Sequence, residues 1–160
     1  MSSKVRPVPE DRLTVTPYLT IRNAGAAIEF YKQVFGATEK MRMAEPDGKV
    51  GHAEIEIGNA RIMISDEYPE LDVLGPQTLG GTTAAFHILV EDVDAVFSAA
   101  VAAGATVQKA VSDQFYGERS GKLADPFGHV WYIATVKEEL SDEEIQKRYE
   151  ALMKQYTRQY

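Results

Sequence analysis

The sequence contains no cysteine, which excludes disulfide bonds, thiolate metal ligands and a cysteine nucleophile. This absence is typical of a cytoplasmic protein, and we expect that compartment. No apolar run approaches the roughly 20 residues that cross a bilayer, and the polar segment 1–12 does not resemble a secretory signal. A net charge of −7 argues against nucleic acid, whose backbone is bound by clustered Lys and Arg. We expect neither a membrane nor a nucleic acid as partner.

The length of 160 residues is enough for one small domain with a hydrophobic core. The first half shows the periodicities of alternating strands and a helix. Residues 13–21 alternate between apolar and polar side chains, which predicts a strand. Asn23 then resembles a helix N-cap, and Gly36 ends the apolar helical spacing that follows. Three further strands are predicted, near 38–43, 52–57 and 60–65.

The last two of these strands are separated by Gly58 and Asn59, which indicate a two-residue hairpin turn. With this turn, Glu54 lies opposite Met63, and Glu56 lies opposite Arg61. All four side chains then share one face of the sheet, because side chains alternate along a strand. We expect Glu56 and Arg61 to form an ordinary cross-strand ion pair.

The second half repeats this order of elements. A strand is predicted at 84–90, and a helix follows that begins after Asp92 and ends at Gly104. Gly36-Ala37-Thr38 recurs as Gly104-Ala105-Thr106, while Ile21-Arg22-Asn23 matches Val90-Glu91-Asp92 at an offset that differs by one residue. These matches predict an internal duplication of a βαβββ module.

Two segments lie outside the repeat. The connection between the halves is rich in glycine and proline, which is typical of a binding loop or a flexible bridge. Ser141 and Glu144 form a capping box before a last helix, whose apolar face packs on the body or on a second subunit. We expect five segments: a flexible N-terminal arm 1–12, a first module 13–66, a loop 67–82, a second module 83–137 and a C-terminal helix 138–160.

Several motifs occur in the order found in one known family. They are Pro17–Ile21, Ala27–Tyr31, Phe35–Ala37, Gly51–Glu54, Val90–Asp94, Ala103–Ala105, Asp113–Arg119 and Asp125–Trp131. Together they resemble the glyoxalase / bleomycin-resistance / extradiol-dioxygenase (vicinal oxygen chelate) superfamily, and in particular its PhnB-like branch. The resemblance implies an α+β fold in which two βαβββ modules form curled mixed sheets around a cavity. It also implies a small-molecule ligand and a homodimer.

Metal-dependent members of this superfamily carry four ligands on cavity-facing strand positions. The resemblance places Thr16, Met63, Ala85 and Tyr132 at these positions. None is a usual ligand of a divalent metal, because Met is soft and a neutral phenol binds poorly. We therefore expect no cofactor. The alternative is a divalent metal at a displaced site formed by His52, Glu54 and His87.

The alternation of the strands and the resemblance together suggest which residues face a ligand. Tyr116 and Arg119 lie in a segment that relatives fold over the cavity as a loop, where an aromatic ring and a guanidinium could contact the ligand. A surface loop with a packed aromatic is the structural alternative. The candidate ligand-binding residues are Thr16, Tyr18, His52, Met63, Tyr116, Arg119 and Tyr132.

Two functions of different class follow. The leading hypothesis is a metal-independent protein that binds a small molecule, such as an antibiotic or another drug-like ligand. The alternative is a glyoxalase-like lyase or isomerase that uses either the displaced metal or Glu54 and His87 as an acid–base pair. In a third interpretation the cavity is vestigial and the C-terminal helix binds a partner.

Overall fold

A computed structural model of the chain describes residues 6–158. The chain divides into two compact units, Met1–Gly75 and Pro76–Tyr160. Residues 1–5 of the expected N-terminal arm and residues 159–160 of the expected C-terminal helix lie outside the described residues. None of the helices within residues 6–158 is both long and apolar enough to cross a membrane.

The first unit contains one helix and one four-stranded mixed sheet. In the sheet the strand order is β1-β4-β3-β2, with β1 parallel to β4 and the other pairs antiparallel. Helix α1 contacts all four strands, and its buried side chains form the core with one face of the sheet. The elements are β1 (Tyr18–Ile21), α1 (Ala24–Phe35), β2 (Thr38–Ala44), β3 (Val50–Ile57) and β4 (Ala60–Asp66).

Both ends of α1 are defined by the residues that the sequence indicated. The Asn23 side chain accepts a hydrogen bond from the Ala26 amide, and Gly36 ends the helix in the left-handed region, at φ 67°. Glycine adopts this conformation without the steric penalty of a Cβ atom. The predicted caps of this helix are confirmed.

The β3–β4 hairpin has the predicted register. Ile57 pairs with Ala60 across the Gly58-Asn59 turn, so Glu54 lies opposite Met63 and Glu56 opposite Arg61. The intervening residues Ala53, Ile55, Ile62 and Ile64 are buried. Because side chains alternate, the carboxylates of β3 lie on the sheet face away from α1.

The second unit repeats this arrangement and adds two helices. Its sheet has the order β5-β8-β7-β6, again with one parallel pair, β5 and β8. The Asp92 side chain caps α3 by accepting from the Ala95 amide, and Ser141 caps α4 by accepting from the Glu144 amide, as predicted. The elements are α2 (Pro76–Leu79), β5 (Ala85–Leu89), α3 (Val93–Ala102), β6 (Thr106–Asp113), β7 (Glu118–Ala124), β8 (Val130–Val136) and α4 (Asp142–Thr157).

A shared hydrogen bond supports the internal duplication. The first amide of α1, at Ala24, donates to the buried Asp66 carboxylate at the end of β4. In the second unit the Val93 amide that begins α3 donates to Thr135 in β8. The same offset along the chain separates Ala24 from Val93 and Asp66 from Thr135. The α+β fold with two βαβββ modules is therefore confirmed.

One predicted strand boundary differs. Strand β1 begins at Tyr18 rather than at residue 13, because Pro17 has no amide proton for the ladder and only its carbonyl accepts a bond, from the Met63 amide. Helix α4 begins at Asp142, directly after the predicted Ser141 cap. The connecting segment contains a turn of 3₁₀ helix, Pro69–Leu71, as well as α2.

Candidate functional site

One row of side chains crosses the whole open face of the first sheet. Tyr18 pairs with Met63, Met63 with Glu54, and Glu54 with Met41. The row therefore runs from β1 through β4 and β3 to β2 on the face away from α1. It places the predicted ligand-binding residues Tyr18 and Met63 beside Glu54, and two methionines give it an adaptable apolar character.

A cavity of about 470 Å³ opens on this unit. Thr16, Glu54 and Met63, which the sequence indicated, line it together with the Glu56 and Arg61 pair. Sequence reasoning missed its other wall, which comes from the segment that was expected to be an N-terminal arm. The lining residues are Asp11, Arg12, Leu13, Thr16, Glu54, Glu56, Gly58, Asn59, Ala60, Arg61 and Met63.

No periodic pattern in segment 11–13 could have indicated that it lines the cavity. Asp11 and Arg12 read as ordinary polar residues before a strand, and Leu13 reads as the first residue of that strand. What distinguishes the segment is that the apolar residue after the two opposite charges, Leu13, is 59% exposed. This exposure is visible only in the structure, so the sequence offered no signal for it.

His52 and Tyr18 form the shortest side-chain hydrogen bond of this face. The Tyr18 hydroxyl lies 2.6 Å from His52 Nδ1, and the two rings are tilted against each other with centroids 5.4 Å apart. The opposite ring nitrogen, Nε2, lies 3.4 Å from Glu54 Oε1. The three side chains therefore form a continuous phenol–imidazole–carboxylate chain.

Arg61 joins the two carboxylates of β3. Its guanidinium donates to Glu54 Oε2 at 3.1 Å and to Glu56 Oε1 at 2.7 Å. The hydrogen bond from Arg61 lowers the pKa of Glu56, and the same bond raises the pKa of Arg61. Lys40 lies 3.5 Å from the second oxygen of Glu56. The expected ion pair of Glu56 and Arg61 is confirmed.

The second unit carries a related row on its own open face. His87 pairs in register with Tyr132, which pairs with Lys122. His87 Nε2 lies 2.8 Å from the Glu118 carboxylate, and the Lys122 ammonium lies 5.2 Å from the centre of the Tyr132 ring. Glu54 and His87 thus each have a partner within their own unit, and their action as a pair remains a prediction.

The structure corrects the local position of Arg119. It lies within β7, not in a loop, and its guanidinium is held by Asp94 of α3 at 2.9 Å and by Asp113 at 3.2 Å. The hydrogen bond to Asp94 raises the pKa of Arg119 and lowers that of Asp94. Arg119 points toward α3 because it follows Glu118 by one residue in a strand.

Tyr116 lies in the turn between β6 and β7, as the loop prediction required. Its ring contacts Phe115 edge to face at 5.1 Å, and Phe115 in turn contacts Tyr149 of α4 at 5.7 Å. This packing agrees with the structural alternative for the aromatic pair. The role of Tyr116 in ligand binding remains a prediction.

The four positions that correspond to the family's metal ligands do not fit a metal. Ala85 has no donor atom, Met63 offers a soft thioether, Thr16 a neutral hydroxyl, and Tyr132 a phenol beneath an ammonium group. Within residues 6–158, no group of three or more His, Asp or Glu side chains could hold a metal ion. Of the alternative set, His52 and Glu54 lie together in the first unit, and His87 contacts Glu118 in the second.

The fold, with its two paired modules, defines a class of protein. Comparison with known families identifies which class this is. Residues 13–133 match the Glyoxalase/Bleomycin resistance protein/Dioxygenase superfamily, and the chain belongs to this family. An uncharacterized protein of Mycobacterium bovis, Mb0911c, is 42% identical over 135 residues, which cover 82% of this chain and 89% of the relative.

Two solved structures show the same fold. A PhnB protein from Bacillus cereus is similar with a TM-score of 0.64 and 17% identity, over 78% of this chain and 100% of that one. The fosfomycin resistance protein FosX from Listeria monocytogenes is similar with a TM-score of 0.60 and 17% identity, over 84% of this chain and 98% of that one. The PhnB protein carries the name of the branch that the sequence motifs resemble, and the likeness shows that the two chains share a fold.

Proposed function

We propose that this chain is a metal-independent protein that binds a small, drug-like molecule in the cavity of its first unit. One observation carries the proposal. The cavity has a mixed polar and apolar lining, while the family's four metal-ligand positions hold residues that cannot chelate a divalent ion. A preformed cavity of several hundred Å³ with a few placed polar groups is the usual form of a small-molecule site.

The lining indicates the kind of contact that a ligand makes. Leu13 and Met63 offer apolar surface, whereas Asp11, Glu54 and Glu56 offer carboxylate oxygens. The Arg61 guanidinium already donates to two carboxylates, so the wall formed by β3 and β4 offers mainly acceptors, while Arg12 supplies a donor from the segment before β1. We expect a ligand with hydroxyl or amine donors on an otherwise apolar framework.

The relatives make a drug-like ligand a reasonable class to test. The family's description includes bleomycin resistance, and FosX of Listeria monocytogenes is a fosfomycin resistance protein. These names describe other proteins. They support the choice of antibiotics for a binding panel, together with amines and polyols of similar size.

Equilibrium dialysis with mass spectrometry against this panel tests the proposal. A compound that binds should lose about tenfold or more in affinity in Glu54→Gln, because a hydrogen bond to a charged group contributes about 1.5–3 kcal/mol. Glu39→Gln is the matched control, since Glu39 lies on β2 and contacts Arg42 and Lys32 without lining the cavity. Absence of any binding compound, or equal losses in both variants, would contradict the proposal.

A second function, a glyoxalase-like lyase or isomerase, has one observation in its favour. Each open face carries an imidazole beside a carboxylate, His52 with Glu54 and His87 with Glu118, and such pairs can transfer protons. Turnover of a 2-oxoaldehyde–thiol adduct that Glu54→Gln and His87→Ala abolish would establish this function. Unchanged turnover in both variants would reject the acid–base pair.

We also propose a cytoplasmic homodimer. The open faces carry exposed apolar side chains, among them Met43 at 55% and Leu89 at 59%, and a second copy that covers them would remove this surface from water. One chain has a mass of 17.7 kDa, and sedimentation velocity should give twice this value. Cell fractionation tests the compartment.

A further inference from the structure

Tyr18 is the exposed residue of a hydrogen-bonded chain whose other two side chains are covered. The side chains of His52 and Glu54 are only 18% and 16% exposed, whereas Tyr18 is 51% exposed. A covered carboxylate, a covered imidazole and the hydroxyl of an exposed tyrosine are therefore linked on the open face of the first sheet. This order is the one that activates a nucleophile through a positioned base.

The hydrogen-bond geometry indicates which atom of each pair in this chain is the donor. Because the Glu54 carboxylate accepts, we assign to His52 the tautomer with its proton on Nε2, which faces Glu54 at 3.4 Å. Nδ1 then has a free lone pair, and the Tyr18 O–H donates to it at 2.6 Å.

We propose that Tyr18 is a nucleophilic phenol that reacts with electrophilic small molecules of the acyl or sulfonyl class. In the step, the Tyr18 oxygen forms a bond to the electrophilic carbon or sulfur, and the bond from that atom to its leaving group breaks. The phenol proton passes to His52 Nδ1, and the leaving group departs with its electron pair. No oxidant or reductant is needed.

The surrounding charges are compatible with this transfer. The imidazolium that forms faces the carboxylate of Glu54, which stabilises positive charge on the ring. Arg61 opposes this effect, but its guanidinium is shared with Glu56, to which it has the shorter contact. Met63 beside Tyr18 and Met43 opposite His52 keep the two rings in a partly apolar setting.

Two other tyrosines of the same chain serve as internal references. Tyr156 on α4 is 57% exposed, slightly more than Tyr18, and within residues 6–158 no side chain forms a hydrogen bond with its hydroxyl. Tyr68 donates instead to the Glu45 carboxylate at 2.8 Å, which raises the pKa of Tyr68 to about 12. Accessibility alone predicts that Tyr156 reacts at least as fast as Tyr18, whereas a positioned base predicts that Tyr18 reacts faster.

The test uses benzenesulfonyl fluoride near neutral pH, with peptide mass spectrometry to follow each tyrosine in the intact chain. Sulfonylation forms an S–O bond, breaks the S–F bond and releases fluoride. We expect Tyr18 to react about tenfold or more faster than Tyr156, since positioned bases contribute about a hundredfold or more in enzymes. Tyr68 should be the slowest of the three. Equal rates at Tyr18 and Tyr156 in the unmodified protein would overturn the proposal.

Two variants then separate the base from simple exposure. His52→Gln keeps a hydrogen-bonding side chain but no base, and it should reduce the rate at Tyr18 to that of Tyr156. Glu54→Gln should give an intermediate rate, while Tyr156 gives the reactivity of an unassisted tyrosine in each variant and circular dichroism checks that the protein remains folded. An unchanged rate in His52→Gln would also overturn the proposal. Because the reaction needs no other ligand, it can succeed even where the binding panel fails.

Discussion

At the scale of single residues, the core beneath α3 depends on the absence of one side chain. A Cβ atom at Gly121 would lie 2.6 Å from Phe97 Cε2 and 3.0 Å from Val111 Cγ2. Gly25 in α1 is the opposite case, because a Cβ there would meet its nearest atom, Arg42 NH1, at 3.8 Å. The same substitution therefore has opposite effects at the two positions.

We expect Gly121→Ala to lower the free energy of unfolding by about 1–3 kcal/mol, the usual cost of overpacking a core. Gly25→Ala should instead raise it by up to about 1 kcal/mol, because alanine restricts the unfolded chain and fits the helix. Urea unfolding followed by circular dichroism measures both. A stable Gly121→Ala protein would show that Phe97 can move away at little cost.

Single residues of the site were predictable where a turn fixed their neighbours. The Gly58-Asn59 turn determined that Glu54 faces Met63 and Glu56 faces Arg61, and the structure has this register. The hydrogen bond of Tyr18 with His52 was not predictable, because the two residues lie 34 positions apart and on strands that are not neighbours. Pairing that depends on side-chain reach across an intervening strand leaves no periodic signal.

At the scale of elements, Arg148 joins α4 to the segment before the helix and to the turn between β6 and β7. Its guanidinium donates to Glu138 at 2.8 Å, to Glu144 at 3.1 Å and to the Phe115 carbonyl at 3.3 Å. The hydrogen bond from Arg148 lowers the pKa of Glu138 from its ordinary 4.5. A carboxyl with a lowered folded-state pKa stabilises the fold above its unfolded pKa and loses this contribution as the pH falls below it.

Arg148→Met should therefore speed hydrogen exchange of the α4 amides. We expect an increase of up to about fivefold, because exposed ion pairs contribute little to stability. Lys147→Met is the matched control on the exposed side of the same helix. The difference between Arg148→Met and the unmodified protein should shrink as the pH falls from 4.5 through the lowered pKa of Glu138, where that carboxyl becomes protonated. Equal exchange rates in Arg148→Met and the unmodified protein at pH 7 would show that the ring contact of Tyr149 with Phe115 is enough to hold α4 in place.

Elements were predictable to the extent that local chemistry sets their ends. Asn23, Asp92 and Ser141 each cap the helix that the sequence assigned to them, since a side-chain oxygen satisfies an amide within three residues. The start of β1 was wrong by five residues, because alternation continues through a segment that has no neighbouring strand. Only the partner strand β4 decides where that pairing begins.

At the scale of the whole molecule, the paired modules have the architecture of the family. The duplicated hydrogen bonds of Asp66 and Thr135 show that both modules keep the same helix attachment. The positions that the resemblance assigns to metal ligands carry Thr16, Met63, Ala85 and Tyr132. The fold was predictable from the repeat and the family motifs, whereas the shape of the cavity depends on a wall contributed by residues 11–13.

Removal of metal ions tests this conclusion on the intact protein. Elemental analysis of protein purified without chelator should give far less than one metal ion per chain, and EDTA should leave the melting temperature unchanged. A metal present at 100 times its dissociation constant stabilises a fold by about 2.7 kcal/mol, which corresponds to a melting shift of roughly 5–10 °C at this size. Added Zn²⁺, Mn²⁺ or Ni²⁺ should produce no such shift. A stoichiometric ion whose removal lowers the melting temperature by several degrees would mean that donors other than these four positions form a metal site, and the metal-independent proposal would then be wrong.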